Sequence, residues 1–428
     1  MGNEGSSFQP HAAVSKAEIE ALQKTFPGKP SAVLWGKWTE VFEPGQVVNI
    51  EKSLKSKAGV ITFQNYQQMF GDVVKGGIDK KIAFMLLLVG VPCHSTIDTD
   101  LLKKCLCVIV SAFLKCHTKS AFSVGDNAEK EKFASSLLHD LIHPSEKRKT
   151  SYSKEPTNCN VKVEREDFES LILNTPVIES ILADVMRSCF QLASQNSSLI
   201  PTIPGGTATK ISLLEAVFLK NSLPHELRPV WRPLFNTDIH GESFSKLAGA
   251  ITRQGPTLVI ITDEGGNKFG GFATDPWVMN PKFCGKPETF LFHLNPKMNI
   301  YDSTPFNTNY QYFNLKQKTM PNGLGMGGQL EYFGFWIDHE FGIVKTSPSC
   351  STYHSPQLGE TEGKIRRLEV FGVGELKIDE DEGGPSVLDM DPEAQAVLEM
   401  MGKTFHSKVI REVDEEQERK NEMEKQHE

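Results

Sequence analysis

The residue types of a hydrolytic triad occur within one short stretch, at Asp238, His240 and Ser243. A triad is defined by its three-dimensional geometry, so closeness in sequence is weak evidence for catalysis. The residues around Ser243 read Gly-Glu-Ser-Phe-Ser and lack the final glycine of the Gly-x-Ser-x-Gly nucleophile elbow. We therefore predict that these polar groups hydrogen-bond to the loop backbone and that the protein is not an enzyme. A hydrolase that uses this loop is the alternative.

A glycine-rich segment matches the dinucleotide fingerprint G-x-G-x-x-G at Gly323, Gly325 and Gly328. That fingerprint binds a pyrophosphate only when a strand precedes it and a helix follows it. The segment is instead preceded by a Pro-Asn-Gly turn and followed by aromatic residues that favour a strand. We predict no nucleotide and no other cofactor here. The glycines, with Gly327, would permit positive φ angles and close backbone approach before a core strand.

Two pieces of the N-terminal half, residues 54–65 and 156–167, resemble EF-hand calcium loops. A working loop needs oxygen ligands at positions 1, 3, 5 and 12. These positions fall on Leu54, Ser56, Ala58 and Asn65 in the first piece, and on Pro156, Asn158, Asn160 and Asp167 in the second. Leu54 and Pro156 cannot supply the first carboxylate. The pieces therefore predict degenerate EF-hand-like helix pairs without an ion, and a generic helical bundle is the alternative.

Cys105, Cys107, Cys116 and His117 do not have the paired spacing of a zinc site. We expect these cysteines to pack in the core and expect no metal ion, because cysteine is among the most frequently buried residue types. The chain has 428 residues, eight scattered cysteines and a formal net charge of −8. This acidic balance argues against nucleic acid as a partner. The cysteine usage predicts a reducing, cytosolic setting.

The first six residues, Met-Gly-Asn-Glu-Gly-Ser, match the N-myristoylation pattern, with Gly2 as the acceptor. One myristoyl chain gives only marginal, reversible membrane binding, so a second signal is needed. No polybasic cluster follows. The second signal is therefore expected to be a protein partner.

Changes in composition along the chain predict its domains. The predicted parts are an N-terminal lipid-anchor segment (1–14), a helical, degenerate EF-hand-like domain (15–195), a linker (196–210), a β-rich domain (211–376), an acidic linker (377–390), and a C-terminal helix with a charged tail (391–428). In the β-rich part, short β-favouring runs alternate with turn residues, which predicts an antiparallel β-sandwich with flanking helices. The fold class is therefore α+β.

The β-rich part resembles the TLDc family over residues 211–374. The motifs that carry the resemblance lie at residues 234–237, 240–244, 269–272, 276–277, 283–285, 290–292, 325–328, 333–338, 350–353 and 368–371. The resemblance implies a structural motif role for His240, Gly241, Ser243, Gly325, Gly327, Gly328, Trp336, Asp338 and Glu369. One departure is Phe371, where members of the family usually carry tryptophan.

TLDc proteins as a group bind the V-type ATPase, so the resemblance implies that pump as a partner. The layout of the whole chain resembles a lysosomal branch of the family that supports mTOR signalling. It implies mTOR complex components as partners and a myristoyl-assisted attachment to the lysosomal membrane, with a second pool in the cytoplasm. Some family members are linked to resistance to oxidative stress, which is the alternative function. That role would require depressed thiol pKa values at Cys284 and Cys350.

The sequence Asp391-Pro392-Glu393 is typical of a helix start. An apolar stripe follows at Ala394, Val397, Leu398 and Met401. This stripe must dock either on its own domain or in a partner's groove. By resemblance we favour partner binding through Val397, Leu398 and Met401.

Overall fold

The computed structural model describes residues 14–26, 32–56, 59–92, 97–142, 162–192, 199–206, 209–330 and 332–376. The described residues up to Glu375 form one compact unit. The predicted acylation site at Gly2 and the apolar stripe of Val397, Leu398 and Met401 lie outside the described residues.

The first half of the chain is helical, as predicted. Its helices are α1 (Lys16–Thr25), α2 (Ala32–Val41), α3 (Pro44–Leu54), α4 (Phe63–Phe70), α5 (Ile78–Leu88), α6 (Thr99–Cys116), α7 (Asn127–Ile142), α8 (Arg165–Asn174) and α9 (Pro176–Cys189). A π-helical turn, Gly71–Lys75, follows α4. Helix α1 begins with a capping box, in which Ser15 Oγ accepts from the Glu18 N–H and the Glu18 carboxylate accepts from the Ser15 N–H.

The two EF-hand-like pieces differ in their described residues. In the first, the Asn65 side-chain amide donates to the Leu54 carbonyl over 2.7 Å and closes the loop between α3 and α4. The candidate ligands Pro156, Asn158 and Asn160 of the second lie outside the described residues. Its described part contains a short strand, β2 (Lys162–Val163), which pairs antiparallel with β1 (Ile97–Asp98). Strand β1 lies directly before α6, in a connection that the sequence interpretation did not single out. The second piece is therefore joined to the connection between α5 and α6 rather than to the first piece.

The second half is an antiparallel β structure with short helices. Its helices are α10 (Leu213–Ser222), α11 (Thr237–His240) and α12 (Phe244–Ile251), and its strands are β3 (Trp231–Asn236), β4 (Thr257–Asp263), β5 (Lys268–Ala273), β6 (Asn280–Cys284), β7 (Phe290–Asn295), β8 (Asn299–Asp302), β9 (Gln311–Asn314), β10 (Gly323–Met326), β11 (Phe335–Asp338), β12 (Ile343–Thr346) and β13 (Glu362–Val373). The strand order is β6-β9-β10-β11-β12-β13-β4-β5-β7-β8, and β3 pairs with β13. The predicted α+β class with an antiparallel sheet is confirmed.

Strand β4 is buried on both faces. Val259 and Ile261 belong to a core that also contains Leu324 of β10 and Phe335 of β11. Leu258 and Ile260 join a second core that also contains the N-terminal helices. Burial on both faces explains why β4 is a nearly continuous apolar run rather than an alternating one.

The helical half and the sheet share this second core directly. Phe122, after α6, packs edge-on against Trp231 of β3 with ring centroids 6.3 Å apart. The segment predicted as a linker also contributes, since the Trp231 N–H donates to the Thr202 carbonyl over 2.9 Å. The described part of the linker is therefore hydrogen-bonded to the β-rich half.

Candidate functional site

A cavity of about 220 Å³ lies beside α11, between β3 and the C-terminal half of β13. It is lined by Thr209, Pro233, Leu234, Phe235, Asn236, Ile239, His240, Glu369 and Phe371. We call it the Glu369 cavity. It contains two of the sequence-predicted motif residues, His240 and Glu369, which are far apart in the chain. Residue 236 ends β3 and residue 369 lies opposite it in the β3–β13 ladder, so the sheet register brings them together.

Glu369 is 3% exposed, and its Oε1 atom is held by three donors. Thr209 Oγ1 donates over 2.8 Å, Asn236 Nδ2 over 3.3 Å and the Lys210 N–H over 3.4 Å. Burial raises the pKa of this carboxyl, although these hydrogen bonds oppose the rise. A carboxyl in this setting can accept hydrogen bonds from a donor placed in the cavity.

The three residues considered as a hydrolytic triad do not assemble into one. Asp238 Oδ2 accepts from Arg367 Nε over 2.9 Å. Ser243 Oγ caps α12 by accepting from the Lys246 N–H over 3.4 Å. These interactions use the polar groups for helix capping and an ion pair, which are structural roles.

His240 lies at the rim of the cavity and is exposed. Its Nδ1 atom is 3.0 Å from the Asn236 backbone nitrogen. Its ring stacks on Phe235 with centroids 5.4 Å apart. Gly241 follows at φ 76°, a left-handed conformation that suits glycine at the end of α11.

The glycine-rich segment contains a strand that the sequence interpretation missed, because β10 begins at Gly323. No helix follows it; the chain continues to β11. A Cβ atom at Gly325 would lie 2.8 Å from ring atoms of Phe333 and Trp336. Gly328 has φ 75°, and a Cβ there would lie 1.9 Å from the Tyr332 carbonyl oxygen. The glycines thus make room for aromatic packing, and the segment does not have the geometry of a nucleotide site.

Asp338, at the end of β11, turns outward from this packing. Its Oδ1 atom lies 2.8 Å from His339 Nδ1 and accepts from the Glu340 N–H over 3.1 Å. Trp336 stacks on Phe333 with centroids 4.5 Å apart. Both motif residues therefore have local structural contacts.

The thiols do not meet the condition for a reactive cysteine. Burial raises the pKa of Cys350, which is 9% exposed. Burial of its thiol and the nearby Asp275 carboxylate also raise the pKa of Cys284. The oxidative-stress hypothesis required depressed pKa values, and the structure gives the opposite direction for both.

The described ranges bear on metal binding and on membrane insertion. Within them, no group of three or more His, Cys, Asp and Glu side chains could hold a metal ion. None of the helices in those ranges combines the length and apolar character needed to cross a membrane. Cys105, one of the cysteines considered for zinc, is buried on α6, and burial raises its pKa to about 12.

The sequence interpretation missed Thr209 and Asn236 as partners of Glu369. One signal was available, since Glu369 is an acidic residue inside an otherwise apolar strand run, Leu368-Glu369-Val370-Phe371. A buried carboxylate needs polar partners. The sequence does not reveal which residues supply them, because one partner, Thr209, lies 160 positions away.

A family model described as the TLDc domain matches residues 210–374. The boundaries agree closely with the resemblance inferred from separate motifs, and they enclose the Glu369 cavity except for Thr209.

Proteins from vertebrates are similar over more of the chain. The protein named "MTOR-associated protein MEAK7" from Gallus gallus is 40% identical over 280 residues, covering 62% of this chain and 60% of the relative. The protein of the same name from Homo sapiens is 35% identical over 304 residues, covering 68% of this chain and 66% of the relative. "Nuclear receptor coactivator 7" from Gallus gallus is 31% identical over 136 residues, which is 32% of this chain and 14% of the relative. The matches thus span less than two thirds of the length of these relatives.

Proposed function

Since the chain contains a TLDc domain, which places it among the TLDc-domain proteins, we propose that it is a non-enzymatic, mTOR-associated adaptor at the lysosomal surface. It would bind the V-type ATPase there and support mTOR signalling. The observation that carries this proposal is the similarity to relatives named for mTOR association, at 35% to 40% identity over more than 60% of this chain.

The arrangement of polar groups supports a binding role over a catalytic one. Asp238 is paired with Arg367, and Ser243 caps α12. Cys284 and Cys350 have raised thiol pKa values, which weakens the case for thiol-based protection against oxidants. The V-type ATPase is proposed because the TLDc family resemblance implies it as the shared partner.

We further propose that a myristoyl group on Gly2 assists attachment to the lysosomal membrane. A single acyl chain binds membranes only marginally, so the protein partner would supply the second signal. The apolar stripe of Val397, Leu398 and Met401 is the proposed contact with that partner.

The first test is a pull-down from solubilised lysosomal membranes with the full chain and with a version that ends at Gly384. We expect V-type ATPase subunits and mTOR complex components with the full chain, and reduced amounts with the shortened one. Equal recovery with both versions would contradict the role of the C-terminal stripe. Recovery of no pump subunits with the full chain would contradict the proposed partner.

The second test compares Gly2→Ala with Gly5→Ala in fractionated cells. Gly2→Ala removes the acceptor, and we expect a shift of the protein from the lysosomal fraction to the cytosol. Gly5→Ala changes a neighbouring glycine of the same segment and should leave the distribution unchanged. Equal lysosomal enrichment of both variants would contradict a role for the lipid.

A further inference from the structure

We propose that the Glu369 cavity is a binding site for the guanidinium group of an arginine side chain presented by a partner protein. The proposal stands on the geometry of the cavity and does not depend on the identity of the partner proposed above.

The two oxygens of Glu369 are used unequally. All three donors that reach this side chain, from Thr209, Lys210 and Asn236, end on Oε1. Oε2 receives no hydrogen bond from any residue that the structure describes. A carboxylate oxygen has strong acceptor capacity, and an arginine fork is suited to donate to it. The acceptor side of such a contact is therefore already in place.

The walls of the cavity fit an arginine stem and its planar head. Leu234, Ile239 and Phe371 contribute apolar surface, along which a methylene stem can lie. The exposed His240 ring stacks on the buried Phe235 at an interplanar angle of 17°, which fixes a flat aromatic surface in the cavity lining. Guanidinium groups stack on such surfaces better than ammonium groups do.

The size of the cavity selects a side chain over a larger ligand. Sites for drug-sized ligands and cofactors usually have volumes of about 300–1,000 Å³. The Glu369 cavity has about 220 Å³. One long side chain matches this volume, and a nucleotide-sized cofactor does not.

The surrounding charges also favour a cation. Two basic residues influence Glu369 from a distance, Lys268 and Arg367, but each is paired with another carboxylate. Lys268 Nζ lies 2.7 Å from Glu215 Oε2, and Arg367 Nε lies 2.9 Å from Asp238 Oδ2. Among the described residues, none forms an ion pair with Glu369. A buried carboxylate without a counter-charge is complementary to an incoming cation and repels an acidic peptide.

If Glu369 had only a structural role, removing its charge while keeping its hydrogen bonds would leave arginine binding unchanged. Its Oε1 contacts join Thr209 and Lys210 to the end of β3, and a glutamine oxygen could accept the same three hydrogen bonds. Glu369→Gln therefore separates the two roles, because it keeps an acceptor of the same shape and removes the charge.

The test titrates the peptide acetyl-Gly-Gly-Arg-Gly-Gly-amide into the full chain. Binding is followed by calorimetry and by the NMR signals of the His240 ring and the Ile239 methyl groups. The matched peptide carries citrulline, which has the shape of arginine without its charge. We expect the arginine peptide to shift both signals and the citrulline peptide to bind at least about tenfold more weakly. Equal binding of the two peptides, or no binding of the arginine peptide, would overturn the proposal.

Variants locate the binding. We expect Glu369→Gln to weaken binding of the arginine peptide at least about tenfold. Glu242→Gln, which changes an exposed carboxylate of the adjoining loop outside the cavity lining, should leave affinity unchanged. Unchanged affinity in Glu369→Gln would overturn the proposal.

A second variant decides the matter if Glu369→Gln does not fold. Ile239 lines the cavity and is 60% exposed, so Ile239→Arg should fold and place a competing arginine beside Glu369. We expect this variant to bind the arginine peptide more weakly than the parent protein does. Full affinity of the variant for the peptide would count against the site. Because neither experiment involves the pump or lysosomes, their failure would leave the proposed function untouched.

Discussion

The Glu18 carboxylate in α1 is held by groups from several elements. Arg187 Nη2 of α9 lies 2.8 Å from it, and Lys75 Nζ lies 3.4 Å from it. The N–H and hydroxyl of Ser15 also donate to it. Burial opposes ionisation, but the Ser15 and Arg187 hydrogen bonds and the Lys75 charge outweigh it, so the pKa is lowered to about 2. At the residue scale, this group joins the first and last helices of the N-terminal half.

Replacing Glu18 with glutamine tests that role. The side chain is 5% exposed, and the substitution removes its buried ion pair with Arg187, so we expect Glu18→Gln to lower the free energy of unfolding by roughly 3 kcal/mol at pH 7. The folded pKa lies below the ordinary value of 4.5, so the stability that the carboxylate contributes is present above pH 4.5 and is lost as the pH falls towards 2. The measurement is urea unfolding of both proteins at pH 7 and pH 3.

Glu20→Gln is the matched control, because Glu20 is an exposed residue of the same helix. It should stay within about 0.5 kcal/mol of the parent protein. The assigned role would be contradicted if both variants lost the same free energy of unfolding. It would also be contradicted if the difference in stability between Glu18→Gln and the parent protein were the same at pH 7 and pH 3.

At the scale of elements, the connection between α3 and α4 keeps a helix–loop–helix form whose ends are joined by a direct hydrogen bond. Position 12 of a calcium loop normally carries a glutamate that binds the ion. Here that position is Asn65, whose amide donates to the carbonyl of Leu54 at position 1. An isolated antiparallel β-bridge between the backbones of Lys55 and Ile61 also crosses the loop. Direct hydrogen bonds thus join the two ends of the loop, which an ion would otherwise bridge.

Truncating Asn65 tests whether this hydrogen bond stabilises the pair of helices. We expect Asn65→Ala to lower the free energy of unfolding by about 1 kcal/mol, because the Leu54 carbonyl loses its donor. Denaturant unfolding monitored by circular dichroism measures the change. Gln64→Ala, at the neighbouring exposed position, is the control and should have little effect. The idea fails if the two variants lose the same stability.

At the scale of the whole molecule, the contact between the helical half and the sheet half contains a group of ionisable residues. Glu129 of α7 contacts the hydroxyl of Ser212, which caps α10. Burial and the neighbouring Glu215 carboxylate raise the Glu129 pKa to about 7, with Asp126 adding to the rise and Lys268 and Lys132 opposing it. The protonation state of one carboxyl therefore affects a contact that joins the two halves.

We expect this contact to weaken as the pH rises. The folded pKa of about 7 exceeds the ordinary value of 4.5, so the folded state binds more protons between these values. The stability contribution is complete below pH 4.5 and is lost as the pH passes through 7. Thermal unfolding from pH 5 to pH 8 measures it, and Glu129→Gln should flatten the decline. Glu131→Gln, at an exposed position of the same helix, is the control and should lose stability with rising pH as the parent protein does. An equally steep loss of stability in Glu129→Gln would contradict the assignment.

Features that depend on neighbours in sequence were predictable. The capping box at Ser15 and Glu18, the helix that follows Ser212, and strand β4 all follow from residues within one or two turns or along one strand. The TLDc motifs were recognisable for a related reason, since each is a short run of residues and they occur in a fixed order. Fold class was thus accessible from the amino-acid sequence.

Features that depend on distant partners were not predictable. Two of the four residues of strand β10, Gly323 and Gly325, are glycines with weak strand preference, and its ladder with β9 and β11 supplies the hydrogen bonds that make it a strand. The pairing of β1 with β2 joins residues more than sixty positions apart. The Glu369 cavity exists because the β3–β13 register places Asn236 opposite Glu369, while Thr209 arrives from the preceding segment. The sequence by itself determined the elements with strong local signals and the TLDc motifs, whereas the tertiary structure alone decided which buried carboxyl faces a cavity, because that depends on long-range register.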